Sequence, residues 1–127
     1  MNRMEINPET VPLAVGGYSQ AVEVRSPSRL LFISGQPPEA LGGSTPSGFA
    51  EQCELVWRNL GAVLAATGMS YQNLVKVTTF LTHADQVEQN SEIRRKHLGT
   101  LHPALTVVVV ETLQSKWLLE IEAVAAA

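Results

Sequence analysis

The feature that most constrains the fold is an unbroken apolar strand, Leu105–Val110, which ends in four consecutive valines. Successive side chains of a strand point to opposite faces of its sheet, so this strand is predicted to be buried on both sides. Only two segments have helical patterning, about Phe49–Thr67 and about Gln86–Leu98. Two helices cover only one face of a sheet. We therefore expect the other face to pack against another copy of the chain.

The remaining segments complete a two-layer pattern. Further strands are predicted at Tyr18–Val24, Arg29–Ser34, Leu74–Leu81 and Leu118–Ala126, and pairing of the first two would make a hairpin. Asp85 and Glu88 have the spacing of a capping box at the start of the second helix. The order β-β-α-β-α-β-β predicts an α+β fold, with a mixed sheet and two helices on one face. A chain of 127 residues holds one such core, so residues 1–127 are expected to be a single domain.

Composition narrows the class of protein. The net charge of −3 disfavours a surface built to bind nucleic-acid phosphates. No apolar run reaches the roughly 18 residues of a membrane span, so no membrane association is expected. The single cysteine, Cys53, excludes an intrachain disulfide and suits a reducing compartment, and it lies on the apolar face of the first predicted helix. We expect a cytoplasmic protein.

Two carboxylates near the C-terminus are the first candidates for chemistry. Glu120 and Glu122 alternate with apolar residues and so share one face of the last strand, about 7 Å apart. If that face is partly buried, desolvation and mutual repulsion raise the pKa of at least one of them, as a general acid or base requires. The alternative is a solvated strand edge that only carries charge.

Other polar residues carry weaker signals. Tyr18 follows two glycines, and Ser34-Gly35 closes the second predicted strand, which suits either ligand binding or simple turns. His97 and His102 lack a third ligand at suitable spacing, so neither a metal nor another cofactor is predicted. The basic run Arg94–Lys96 is predicted to be a solvated helix end that complements the helix dipole.

Six motifs in order resemble the RidA/YjgF family, also known as endoribonuclease L-PSP. They are Gly17–Val22, Leu31–Gln36, Val75–Phe80, Asn90, Pro103-Ala104 and Glu120–Ala123. The resemblance implies a chorismate-mutase-like fold and a homotrimer whose sheets form a central barrel. It also implies a small-molecule ligand in each cleft between subunits.

Active members of that family hydrolyse enamines and imines such as 2-aminoacrylate. By resemblance, Glu120 is the catalytic residue that positions the attacking water. The implied substrate-binding residues are Tyr18, Ser34, Gly35, Asn90, Leu105 and Val107. In the family an arginine directly after Pro-Ala binds the substrate carboxylate, but this chain has Leu105 there, so its substrate is expected to differ. Gly17 replaces the family's proline before the tyrosine. Whether Arg95 or Lys96 substitutes for the arginine stays open.

Three functions remain as hypotheses. The first is a hydrolase of the enamine/imine deaminase type that acts through Glu120 on a different substrate. The second is a non-catalytic trimer that binds a metabolite in the same clefts. The third is RNA cleavage, against which the negative net charge and the lack of an arginine-aromatic platform both count.

Overall fold

The computed structural model describes all 127 residues as two packed layers. In chain order the elements are β1 (Asn2–Ile6), β2 (Ala21–Arg25), β3 (Leu30–Gln36), α1 (Phe49–Ala65), β4 (Leu74–Leu81), α2 (Val87–Leu98), β5 (Ala104–Val109) and β6 (Leu119–Ala126). The main sheet has the order β3-β6-β4-β5, in which only β4 and β5 run parallel. Helix α1 packs on this sheet and α2 packs on α1. The predicted α+β fold, with two helices and a mixed sheet, is confirmed. Neither helix is long and apolar enough to cross a bilayer.

Helix α1 supplies more of the buried core than any other element, because its apolar residues recur at helical spacing. The side chains of Cys53, Val56, Trp57, Leu60 and Leu64 are all completely buried. The helix ends shortly before Gly68, whose φ of +76° lets the chain turn back. The backbone N–H of Met69 then donates to the carbonyl of Leu64 at 3.0 Å. The core is therefore fixed by one amphipathic helix facing β3 and β6.

The predicted hairpin of the first two strands is wrong. Strand β2 pairs instead with β1, which the sequence analysis missed, and the two form a separate antiparallel ribbon. The cause is visible at the start of β3, where the backbone N–H groups of Ser28 and Arg29 donate to the carbonyl of Ala127 at 2.8 and 3.0 Å. The segment that enters β3 is therefore hydrogen-bonded to the residue that follows β6, and β3 pairs with β6 instead of β2.

Strand β5 forms as predicted but is not buried on both sides. It lies at the edge of the sheet, where β4 is its only neighbouring strand. Val108 and Val109 are 39% and 52% exposed in the single chain. The continuous apolar pattern therefore indicated the strand correctly, and its burial on the second face, which was predicted to need another copy of the chain, stays a prediction.

The sheet face away from the helices is open and partly apolar. Strand β6 alternates as predicted, so its odd-numbered residues from 119 to 125 face the core, while Glu120, Glu122 and Val124 point to the open face. Phe32 on β3, paired with Val124, is 75% exposed on the same face. One face of the sheet is thus left without a covering layer in this chain.

The second helix begins differently from the prediction. The side chain of Gln86, rather than Asp85 or Glu88, caps the turn before α2. Its Oε1 accepts from the backbone N–H groups of Thr82 and His83, both at 3.1 Å. The amide satisfies two donors at once and fixes the angle at which the chain enters α2.

Candidate active site

A β-bulge places a glycine against Glu120. Between the pairs Ile33–Ala123 and Gln36–Ile121, β3 contributes two residues, Ser34 and Gly35, where β6 contributes only one. A Cβ atom on Gly35 would lie 2.9 Å from Oε1 of Glu120, closer than real Cβ contacts. Glycine at position 35 therefore leaves the room that the Glu120 carboxylate occupies.

Glu120 lies in a depression of about 440 Å³ on the open face, lined by Gly35, Phe80, Val110, Glu111, Glu120 and Glu122. The carboxyl group of Glu120 is half-buried, and this desolvation raises its pKa above the ordinary value of 4.5. The neighbouring Glu122 is exposed. The predicted rise in pKa of one carboxylate is thus confirmed, and its cause is burial of Glu120 rather than repulsion between the two.

We expect an NMR titration of the side-chain carboxyl carbons to give Glu120 a midpoint above 4.5. The folded state then binds more protons than the unfolded state at pH values between the ordinary and the raised pKa. The contribution of Glu120 to the free energy of unfolding therefore falls as pH rises through that window. A midpoint at or below the ordinary value would show that the carboxylate is fully solvated.

Tyr18 lies near the start of β5, beside Ala104, whereas Glu120 pairs with Phe80 near the end of β4. The next residue, Ser19, is buried and donates from its backbone N–H to the carbonyl of Pro103 at 3.1 Å. Its Oγ donates to the carbonyl of His102 at 2.7 Å. These bonds fix the half-buried Tyr18 beside the segment that leads into Leu105.

Asn90 is buried on α2 and touches the thiol of Cys53, whose Sγ lies 3.9 Å from Oδ1 of Asn90. Burial raises the pKa of that thiol to about 12, so Cys53 remains a protonated donor and is not a nucleophile at neutral pH. The amide nitrogen Nδ2 of Asn90 has no hydrogen-bond partner. The side chain thus presents one unused donor inside the helix layer.

The predicted site residues fall into two groups within one chain. Leu105 pairs with Val77, a core residue, whereas Glu120 pairs with Phe80 on the open face. We call Ser34, Gly35 and Glu120 the open-face group, and Tyr18, Asn90, Leu105 and Val107 the helix-side group. Leu105 and Val107 are half-buried against the core. A single chain therefore does not bring Leu105 to Glu120.

The basic run of α2 is not a uniformly solvated helix end, which corrects the prediction. Arg94 is only 3% exposed and donates from Nη2 to the carbonyl of Gly16. Arg95 is exposed and reaches the same carbonyl with Nε at 3.4 Å. Gly16 and Gly17 have φ angles of +120° and +79°. Two consecutive glycines were the sequence signal that could have indicated a backbone turn close to the arginine side chains.

Lys96 and His97 point to another part of the surface, where both bind Glu54. The Nζ of Lys96 lies 2.8 Å from Oε1, and Nε2 of His97 lies 2.7 Å from Oε2. The His97 ring also stacks on Trp57, with centroids 5.8 Å apart. No three His, Cys, Asp or Glu side chains converge in a way that could hold a metal ion.

This geometry defines a class of small α+β domain, with a half-buried glutamate beside a bulge glycine on the open face of a mixed sheet. Residues 8–127 match the family model of endoribonuclease L-PSP. The chain belongs to the endoribonuclease L-PSP family, which includes the Rid and RutC proteins, and the resemblance seen in the sequence is confirmed.

Similar proteins cover nearly the whole chain. A 2-iminobutanoate/2-iminopropanoate deaminase of Bos taurus is 33% identical over 125 residues, 97% of this chain and 89% of the relative. The crystal structure of the Rid family protein YyfB from Yersinia pestis has a TM-score of 0.86 at 29% identity and covers 100% of both chains. E. coli TdcF, solved with bound serine, has a TM-score of 0.72 at 28% identity and covers 98% of both.

Proposed function

We propose that this protein is a homotrimeric hydrolase of the enamine/imine deaminase type, with a small-molecule cleft between subunits. The observation that carries the proposal is the half-buried Glu120 carboxylate, which the bulge at Gly35 accommodates and burial makes more basic. Two similar proteins support the ligand class. The bovine relative is named as a deaminase of small imino acids, and TdcF was solved with serine.

The two groups of site residues support a cleft shared between subunits. The open face exposes Leu30, Phe32 and Val108 by 52%, 75% and 39%, an apolar surface that association would remove from water. In the proposed trimer the open-face group of one subunit lies against the helix-side group of its neighbour. Glu120 and Leu105 then contribute to one cleft although they lie on opposite faces of their own sheet.

The proposed reaction is addition of water to a carbon–nitrogen double bond. Glu120 takes a proton from water while the water oxygen bonds to the iminium carbon and the π electrons move to nitrogen. Protonated Glu120 then passes its proton to that nitrogen, the carbon–nitrogen bond breaks, and ammonia leaves as the hydroxyl becomes a carbonyl. The hydroxyl proton is released to solvent, so one iminium ion and one water give one carbonyl compound and one ammonium ion. A raised pKa makes Glu120 suited to both steps.

Leu105 favours the second candidate function, a non-catalytic trimer that binds a metabolite. A leucine offers no charge-assisted hydrogen bond, which is worth about 1.5–3 kcal/mol for a carboxylate. That loss corresponds to roughly 10- to 100-fold in transition-state binding. A carboxylated substrate must therefore be bound by a residue other than 105. RNA cleavage is less well supported, because Glu111, Glu120 and Glu122 make the depression acidic.

We expect light scattering to give the mass of a trimer, and the protein to speed release of ammonia from freshly generated small imines. The blank is Glu120→Ala protein at equal concentration. A trimer with no catalysed release from any imine would favour the non-catalytic candidate. A monomer at micromolar concentration would contradict the shared cleft itself.

A further inference from the structure

Arg94 is a buried cation without a counterion. Its side chain is 3% exposed, and none of the three ion pairs of the structure involves it. Its Nε has no hydrogen-bond partner, and burial, together with the nearby Arg95, lowers the pKa of its guanidinium. A cation buried in this way lowers the free energy of unfolding unless it is paired. A stabilising role therefore does not account for an arginine at this position.

The only hydrogen bond of this guanidinium goes to the turn before Tyr18. Nη2 of Arg94 donates to the carbonyl of Gly16, which lies 78 positions earlier in the chain. Arg95 reaches the same carbonyl with Nε, but at 3.4 Å and from an exposed side chain, so its bond is weaker. Arg94 is therefore the main contact between α2 and this turn.

The turn itself has few other constraints. Gly16 and Gly17 both have positive φ angles, and the backbone of neither residue bonds to another backbone group. Two consecutive glycines have more conformational freedom than any other pair of residues. On the far side of Tyr18, the buried Ser19 donates to the carbonyl of Pro103 at 3.1 Å. Tyr18 thus lies between two anchors, which are Ser19 after it and the bond from Arg94 before it.

We propose that Arg94 is a positioning residue, which holds the turn at Gly16 so that the side chain of Tyr18 stays in the cleft. This inference rests on the proposed function, in which Tyr18 belongs to the helix-side group that lines the cleft. Arg94 does not touch the ligand in this role. Without its bond the two-glycine turn takes up other conformations, and Tyr18 is correctly placed for a smaller fraction of the time.

The first test compares activity with stability in Arg94→Met, which removes the charge and the bond but keeps a long, unbranched side chain. We expect kcat/KM for imine hydrolysis to fall by about 10- to 100-fold. The melting temperature should equal or exceed that of the parent, because a buried unpaired charge is gone. A melting temperature below that of the parent would indicate a structural role and overturn the inference.

Lys96→Met is the matched control for this comparison. It removes the second cation along the same helix, whose Nζ binds Glu54 and makes no contact with the turn. We expect kcat/KM to be unchanged in this variant. An equal loss in Lys96→Met and Arg94→Met would assign the effect to the positive charge of α2, contrary to a role through Gly16.

A double-mutant cycle with Tyr18→Ala tests whether Arg94 acts through Tyr18. Once the tyrosine side chain is absent, Arg94→Met is expected to cause no further loss of kcat/KM. Amide hydrogen exchange gives a second measurement, because the protected N–H of Ser19 should exchange faster in Arg94→Met than in the parent. Losses that multiply in the cycle, or unchanged exchange at Ser19, would overturn the inference.

Failure of this inference can be told apart from failure of the proposed function. Imine hydrolysis that is equal in the parent and Arg94→Met would remove the inference and leave the deaminase proposal standing. If the parent protein has no hydrolytic activity, the deaminase proposal fails. Faster exchange of Ser19 in Arg94→Met would then still support a turn that Arg94 holds.

Discussion

Glu120→Gln is expected to lower the rate constant of imine hydrolysis by about 10²- to 10⁴-fold, the usual contribution of a positioned general base. Glutamine keeps the size of the side chain and fits the space beside Gly35, but it cannot accept a proton from water. The trimer mass should stay that of the parent. Stopped-flow measurement of keto-acid formation from a generated imine gives the rate constant.

Glu122→Gln is the comparison variant for this experiment. It removes the same charge from the same face of β6, but at an exposed carboxylate. We expect at most a severalfold change in rate, because an exposed carboxylate is already solvated. Equal losses of rate in the two variants would mean that the rate depends on the total negative charge of the depression. Glu120 would then have no individual role as a general base.

Trp57→Ala is expected to reduce the free energy of unfolding by about 3–5 kcal/mol. The indole is completely buried, meets the Tyr71 ring edge-on with centroids 5.8 Å apart, and stacks on His97. Its removal leaves a cavity where α1 and α2 meet. Urea denaturation followed by circular dichroism at one fixed protein concentration measures the loss, since association would make stability depend on concentration.

Trp57→Phe separates the cavity from the loss of stacking. Phenylalanine retains an aromatic ring for His97 and Tyr71 while removing less volume, so we expect a clearly smaller loss than for alanine. A loss below about 1 kcal/mol for Trp57→Ala would show that the helices repack around the gap, contrary to a core centred on this residue.

Much of the fold could be predicted because periodicity reports local structure directly. Strand β4 has the predicted bounds, and α1 ends two residues before the predicted limit. What periodicity does not report is partnership between distant strands. Strand β5 is apolar enough for a central position yet lies at an edge, and β2 pairs with a strand whose sequence, Asn2–Ile6, is mostly polar.

The candidate site, too, could be predicted only where it depends on residues close together in the sequence. The raised pKa of Glu120 followed from an alternating strand with apolar neighbours, and that pattern is local. The burial of Arg94 did not follow, because it depends on Gly16, which lies 78 positions earlier in the chain. Three consecutive basic residues look alike in a sequence, and only the packing of α2 sends Arg94 and Lys96 to different surroundings.

The position of β6 has a consequence for how the protein is made. This strand follows every other element in chain order, yet it lies in the interior of the main sheet, between β3 and β4. During synthesis on the ribosome, β3 and β4 are made before β6, so the edges of both strands that pair with β6 are at first unpaired. Pairings between strands so distant in sequence form late and slowly, and an unpaired strand edge is prone to aggregation. A nascent chain stalled before residue 119 therefore has no closed sheet, and we expect it to depend on chaperones until the ribosome delivers the last strand.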